Sequence, residues 1–150
     1  MNWICKKFDE LTPRELYAIL QLRNIVFVVE QNCVYPDMDD KDQLSFHFMG
    51  WEGKKLVAYT RLMAVRVYYA DHPAIGRVVT SPDVRNSGIG RELMKLSIEK
   101  AHELFNFSAI KIGAQLYLKK FYESLGFRQT SDIYLEDGIE HIEMILTYKS

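Results

Sequence analysis

The sequence predicts an α/β fold, α+β-like in character, on a mixed sheet whose strands run parallel only at its centre. Three observations predict it. Paired apolar or alternating runs at 46–67 and 127–147, each broken by a short polar or glycine-bearing turn, call for antiparallel hairpins. Between them come a strand, a glycine turn, a helix and a second strand, an order that makes those two strands parallel. No repeat, low-complexity tract or Pro/Gly/Ser-rich linker interrupts the 150 residues, so a single domain over 1–150 is expected. A chain of this size buries about two thirds of its unfolded surface without disulfide or metal staples.

The first element is a helix opening at Thr12-Pro13-Arg14-Glu15, where Thr12 caps, Pro13 suits the first turn and Glu15 completes a capping box. Leu16, Ile19, Leu20, Arg23, Val26 and Phe27 recur at helical spacing until Glu30-Gln31-Asn32 ends the pattern. Arg23, basic within that stripe, is expected to pair with a nearby acid. Residues 36–45 hold Pro36 and a dense set of acids without the spacing of a calcium motif, so they read as a solvated loop. A hairpin of 46–51 and 56–67 follows around Glu52-Gly53-Lys54-Lys55, and then a strand at 74–80. A helix over 90–105 presents Leu93, Met94, Ser97, Ala101 and Leu104 on one face. Residues 109–114 form a strand, and 116–125 a helix stopped by Gly126. Strands at 127–133 and 139–147 close the chain around Glu136-Asp137-Gly138.

A net charge of -1 argues against a nucleic-acid partner, because polyanion binding needs a clustered basic surface. No apolar run approaches membrane-spanning length, and Lys6 and Lys7 follow the apolar start in the wrong order for a signal peptide. Cys5 and Cys33 have neither metal-ligand nor disulfide-framework spacing. Ordinary thiols, no metal, no membrane and a cytoplasmic location are therefore expected.

The chemistry concentrates at Arg85-Asn86-Ser87-Gly88-Ile89-Gly90, between a strand and a helix. A helix start leaves backbone N–H groups unpaired and carries partial positive charge, so a phosphate there gains hydrogen bonds and a favourable field. Gly88 and Gly90 let the backbone approach closely, and Arg85 adds a fixed charge. The bland alternative is a glycine turn that only packs. A dinucleotide fingerprint lacks its third glycine here, and a triphosphate loop lacks Lys-Ser or Lys-Thr after Gly90.

Arg85, Gly88 and Gly90 resemble the phosphate-binding motif of the GNAT N-acetyltransferase superfamily: Arg or Gln, two residues, Gly, one residue, Gly or Ala. Upstream, Ile75-Gly76-Arg77-Val78-Val79-Thr80 looks like the strand that pairs with the pantetheine arm of coenzyme A. Downstream, Ala114-Gln115 and Phe121-Tyr122-Glu123-Ser124-Leu125-Gly126-Phe127 look like the second cofactor segment. Leu20-Gln21-Leu22-Arg23, Val26-Phe27-Val28-Val29-Glu30-Gln31, Gly113-Ala114-Gln115 and Glu136-Asp137-Gly138 with His141-Ile142 resemble the ElaA-like branch.

The resemblance implies a GNAT-type acyl-CoA N-acyltransferase fold and direct attack of an amine on the thioester of acetyl-CoA in a ternary complex. It assigns the acyl and pantetheine part to Val78, Val79 and Thr80, and the phosphates to Arg85, Asn86, Ser87, Gly88, Ile89 and Gly90. A backbone N–H near Val79 would polarise the carbonyl where two splayed strands leave it unpaired. Gln115 would meet the pantetheine amides, and Tyr122 would protonate the leaving thiolate. Residues 74–79 offer no carboxylate or imidazole where some relatives place a base, so Glu30, His47, and His141 with Glu143 stand as candidates. Glu30 and His141 are favoured among them. The expected acceptor is a primary amine on a small molecule or peptide. A synthase of the acyl-homoserine-lactone type and a non-catalytic coenzyme A-binding regulatory module stay open, as does a homodimer.

Overall fold

A computed structural model of the chain describes residues 1–149. Strands β1 (Asn2–Lys7), β2 (Phe46–Glu52), β3 (Lys55–Met63), β4 (Ala74–Thr80), β5 (Ile110–Gln115), β6 (Arg128–Gln129), β7 (Tyr134–Glu136) and β8 (Ile139–Leu146) form one sheet. Its order is β1-β2-β3-β4-β5-β8-β6, and β7 also pairs with β8. The β4–β5 pair is parallel and the others run antiparallel, as the hairpin and crossover pattern predicts.

Helix α1 (Pro13–Arg23) starts on the expected capping box: Thr12 Oγ1 accepts from Glu15 N at 3.1 Å, and Glu15 Oε1 accepts from Thr12 N at 2.8 Å. It continues through a π-helical turn, Asn24–Glu30. Ile19, Arg23 and Val26 of the predicted stripe are buried, and Leu22 joins them. They pack with Met49, Tyr59 and Val79 on one face of the sheet. Helix α2 (Ile89–Leu104) covers the other face, burying Leu93, Met94, Ser97 and Ala101 against Phe48, Leu62, Ile75, Ile110 and Ile142. Each such aliphatic side chain contributes about 1.5–3 kcal/mol of transfer free energy.

Several elements differ from the sequence reading. The chain begins with β1, whose residues are half-exposed and carry no clean alternation; Trp3 stacks on Phe48 at 5.6 Å. β3 stops at Met63, and Arg66 adopts a left-handed φ of 77° in the following loop. The helix expected over 116–125 is a 3-10 turn, Leu116–Leu118, followed by the short α3 (Lys119–Glu123). The strand expected over 127–133 shrinks to β6.

The largest correction concerns residues 36–45, which are a solvated loop only in part: Pro36, Met38, Asp40, Gln43 and Leu44 are exposed, but Asp37 and Asp42 are buried. Arg23, fully buried, donates from Nε to Asp37 at 2.8 Å and from Nη1 to Asp42 at 2.7 Å, as its predicted ion pairing requires. Arg61 grips Asp39 through both terminal nitrogens, at 2.8 and 2.9 Å, and also reaches Asp42 at 3.0 Å. Arg77 donates to the Asp37 carbonyl at 2.8 Å. Asp37, Asp39 and Asp42 are thus counter-ions for arginines that the strands and α1 bury, and the arginines pull the loop down. His47 is corrected too: it is buried in this network and does not line the cleft described below. Its Nε2 donates to the Asp42 carbonyl at 2.9 Å and its Nδ1 accepts from the Tyr59 hydroxyl at 2.6 Å. Burial lowers its pKa and keeps the ring neutral.

Candidate active site

The β4–β5 pair is registered only at Ala74 and Lys111, where the Lys111 N–H donates to the Pro73 carbonyl at 2.9 Å. Beyond that point the strands part. The cause lies in β4: Arg61 opposes Gly76 and Tyr59 opposes Val79, so two steps on β3 face three on β4. The extra residue falls where Arg77 takes a φ of 49°, and a bulge of this kind bends its strand away from a neighbour.

The gap opens into a cleft of about 880 Å³. Val78, Val79 and Thr80 line one wall, Ile112, Gly113 and Gln115 the other, and Phe27 and Glu30 of the π-helical turn, with Gln31 just after it, complete the lining. The Ser81 N–H donates to the Val57 carbonyl at 2.8 Å. Antiparallel alternation therefore turns the Val79 N–H toward β3 and leaves the Thr80 N–H on the gap side.

At one end of the cleft stands the start of α2. Asn86 and Gly88 take φ of 62° and 85°, and Ser87 Oγ donates to the Val84 carbonyl, which folds the turn tightly before Ile89. A side chain at Gly88 would be strained by that φ, although a Cβ there meets nothing within 4 Å. At Gly90 the nearest atom to a Cβ is Thr80 Cγ2, 4.0 Å away, so both glycines leave open space above the first helical turn. Arg85 and Gly90 line the cleft at this end and Asn86, Ser87, Gly88 and Ile89 complete the turn, an arrangement that fits the anionic end of a coenzyme A-type thioester.

Arg85 and Glu30 meet over the same end, Nη1 to Oε2 at 2.8 Å and Nη2 to Oε1 at 2.5 Å. Two residues chosen for different tasks thus form one bidentate pair. Arg85's hydrogen bonds hold the Glu30 carboxyl below the usual range, which weakens it as a proton acceptor.

Tyr122 of α3 lines the middle of the cleft, 5% exposed, and its hydroxyl has no hydrogen-bond partner among the described residues. Burial pushes its pKa up, so the phenol stays protonated at neutral pH. Gln115 donates to the Gln31 side chain at 3.4 Å across the cleft. At the far end lie Tyr35, Asp39 and Lys41 of the acidic loop, Arg77, Tyr68 and the β7–β8 hairpin. His141 is there, 7% exposed, its Nδ1 2.8 Å from the Ile139 carbonyl. The Cys33 thiol donates to the Asp137 carbonyl at 3.4 Å and ties the segment after α1 to that hairpin. Glu143 instead faces Lys111 at 3.5 Å. Burial pushes the Cys5 thiol up to about 11, which leaves it inert.

Sequence reasoning placed His141 among the site candidates but missed its neighbours at the far end: Glu136 was legible only as part of a turn, and Tyr68 fell in no predicted element.

The family model for the acetyltransferase (GNAT) domain matches residues 17–148. The chain belongs to the GNAT acetyltransferase family. Within GNAT it falls in the ElaA-like branch: Escherichia coli ElaA is 39% identical over 96% of this chain and 95% of its own. A UPF0039 protein of Schizosaccharomyces pombe is 43% identical over 97% of each chain. The crystal structure of an acyl-CoA N-acyltransferase from Pseudomonas aeruginosa superposes with a TM-score of 0.91 at 40% identity, covering 98% of this chain and 100% of that one. The E. coli ElaA structure gives 0.90 at 38% identity, over 97% and 99%. An aminoglycoside 6'-N-acetyltransferase complexed with coenzyme A shares the GNAT fold, with a TM-score of 0.71 at 15% identity over 96% of each chain. GNAT membership makes the chain an acyltransferase, and among its described residues no helix is long and apolar enough to cross a membrane.

Proposed function

We propose that the chain is an N-acetyltransferase, moving an acetyl group from acetyl-CoA to the primary amine of a small molecule or peptide by direct attack in a ternary complex. The observation that carries this is the open β4–β5 gap, with the bare start of α2 at one end and the unpartnered phenol of Tyr122 on its wall. The P. aeruginosa neighbour's description as an acyl-CoA N-acyltransferase supports it, as does coenzyme A in the more distant aminoglycoside enzyme.

In this reading the first turn of α2, with Arg85, binds the phosphates. Backbone groups of Val78, Val79 and Thr80 orient the acyl and pantetheine part, and Gln115 adds an amide contact. The Thr80 N–H is the donor for the carbonyl oxygen as negative charge develops there. Tyr122 gives its proton to the leaving thiolate, and His141 takes one from the amine. Glu30 serves as the counter-ion of Arg85 at the mouth.

Thiol release from acetyl-CoA, measured across a panel of amines, tests the reading. Tyr122→Phe should lower kcat by about 10²-fold and leave the KM for acetyl-CoA nearly unchanged. Equal kinetics in the variant would remove the acid role, and no thiol release with any amine would overturn the activity.

A further inference from the structure

We propose that Glu136 and His141 form a carboxylate–imidazole pair that receives the acceptor as an aliphatic ammonium and takes its proton. The proposal rests on the acyl-transfer reading and adds a residue and a substrate class to it.

The pair is built by the β7–β8 turn. Asp137 and Gly138 take φ of 51° and 77°, the left-handed geometry of a two-residue hairpin turn. The resulting register sets Glu136 opposite Ile139 and Tyr134 opposite His141. Directly opposed residues and those two apart point to the same face, so Glu136 and His141 are diagonal neighbours. Their heavy atoms meet at 3.5 Å, Nε2 to Oε2.

Three facts fix what that contact does. First, His141 Nδ1 lies 2.8 Å from the Ile139 carbonyl, and a carbonyl only accepts, so the neutral ring carries its hydrogen on Nδ1. The lone pair is therefore on Nε2, facing Glu136. The ring is held there by burial and by stacking on Tyr134 at 5.9 Å. Second, Glu136 Oε1 accepts from the Tyr68 hydroxyl at 3.5 Å, and no lysine or arginine pairs with Glu136 among the described residues. Asp39 is held by Arg61 and Glu30 by Arg85, whereas Asp137, the cleft's remaining carboxylate, has no cation either but makes no contact with the His141 ring among the described residues. Third, both residues line the cleft that Tyr122 lines. Two acceptors facing each other, one a carboxylate without a fixed cation, make a seat for an N–H cation.

The protons balance as follows. An alkyl ammonium gives one proton to Nε2 of His141, and Glu136 stabilises the imidazolium; the freed lone pair attacks the acyl carbon. The new C–N bond forms and the C–S bond breaks. The departing thiolate takes the Tyr122 proton, and the phenol is restored through solvent by the second proton leaving nitrogen. The third stays on the amide. One proton in total leaves His141 for water.

An arylamine arrives neutral and needs no such pair, which gives a discriminating test. Thiol release from acetyl-CoA is measured for wild type, Glu136→Gln and His141→Gln with alkylamines and with arylamines of similar size. Glu136 is 44% exposed, so Glu136→Gln should fold normally, and a thermal melt checks this. Glu136→Gln should lower kcat/KM for alkylamines about tenfold or more while changing arylamines less than about twofold. Nitrogen-15 NMR of His141 should show hydrogen on Nδ1 and none on Nε2 in the neutral ring. Equal effects on both amine classes, no effect on either, or an Nε2–H tautomer would overturn the pair and leave the transferase reading standing. Wild-type protein that releases thiol with neither class would overturn both.

Discussion

Arg85 and Glu30 show how one contact links two functions at the scale of single residues. An anion approaching the start of α2 finds Arg85 already bonded through two nitrogens to a carboxylate. Both side chains are 40% exposed, where solvent screens the pair and leaves it weak. Glu30→Gln should therefore free Arg85 and tighten acetyl-CoA binding about two- to fivefold by calorimetry, with the gain shrinking as salt rises. Weaker binding in the variant would mean that Glu30 orients Arg85 rather than competing for it. Tyr134 illustrates the opposite case, a group kept silent: burial, with Glu136 and Glu143 nearby, pushes its phenol up to about 12.

At the scale of elements, the acidic loop is decided by arginines far from it in sequence. Asp42 alone accepts from both Arg23 and Arg61, 19 residues away on either side. Asp42→Asn would leave two buried guanidinium groups short of a counter-charge, a change that costs about 3–5 kcal/mol in comparable buried pairs. Urea unfolding should show that loss at unchanged m-value. The loop also carries Tyr35, Asp39 and Lys41 of the cleft's far end, so the same variant should raise the acceptor KM more than the acetyl-CoA KM. The β4 bulge works at this scale too, since one residue inserted at Arg77 parts two strands that would otherwise close the sheet.

For the whole molecule, the buried ion network sets the acid limit of stability. Burial acts to raise the Asp39 pKa, but Arg61 and Arg77 more than offset it and hold the carboxyl at about 2 against an ordinary 3.8. Asp42 is likewise lowered: Arg23 and Arg61 outweigh its burial. Both folded pKa values lie below the unfolded ones, so their stabilisation is complete above about pH 4 and is lost as pH falls toward about 2. A pH series of thermal melts should show Tm falling steeply between about pH 4 and pH 2, and Asp39→Asn should flatten that slope.

The α1 capping box, the face of α2, the β2–β3 hairpin, the Asp137-Gly138 turn with β8 after it and the Arg85–Gly90 turn were all legible because each is a local pattern: a cap, a period or a positive-φ glycine. β7 was not, since Tyr134 and Leu135 lie between the expected strand at 127–133 and the turn. β1 was missed because a half-exposed edge strand shows no alternation, and the acidic loop was misread because charge density alone cannot say where a counter-ion will be buried. The π-helical turn and the β4 bulge left no composition signal. By itself the sequence determined the mixed sheet, the strand–turn–helix cradle and the family. Only the tertiary structure decided that Asp37, Asp39 and Asp42 are counter-ions of buried arginines, that Glu30 belongs to Arg85, and that Glu136 reaches His141. The first two are meetings of charges distant along the chain, set by how the elements pack, and the third needs the β7–β8 register, which places Glu136 diagonal to His141.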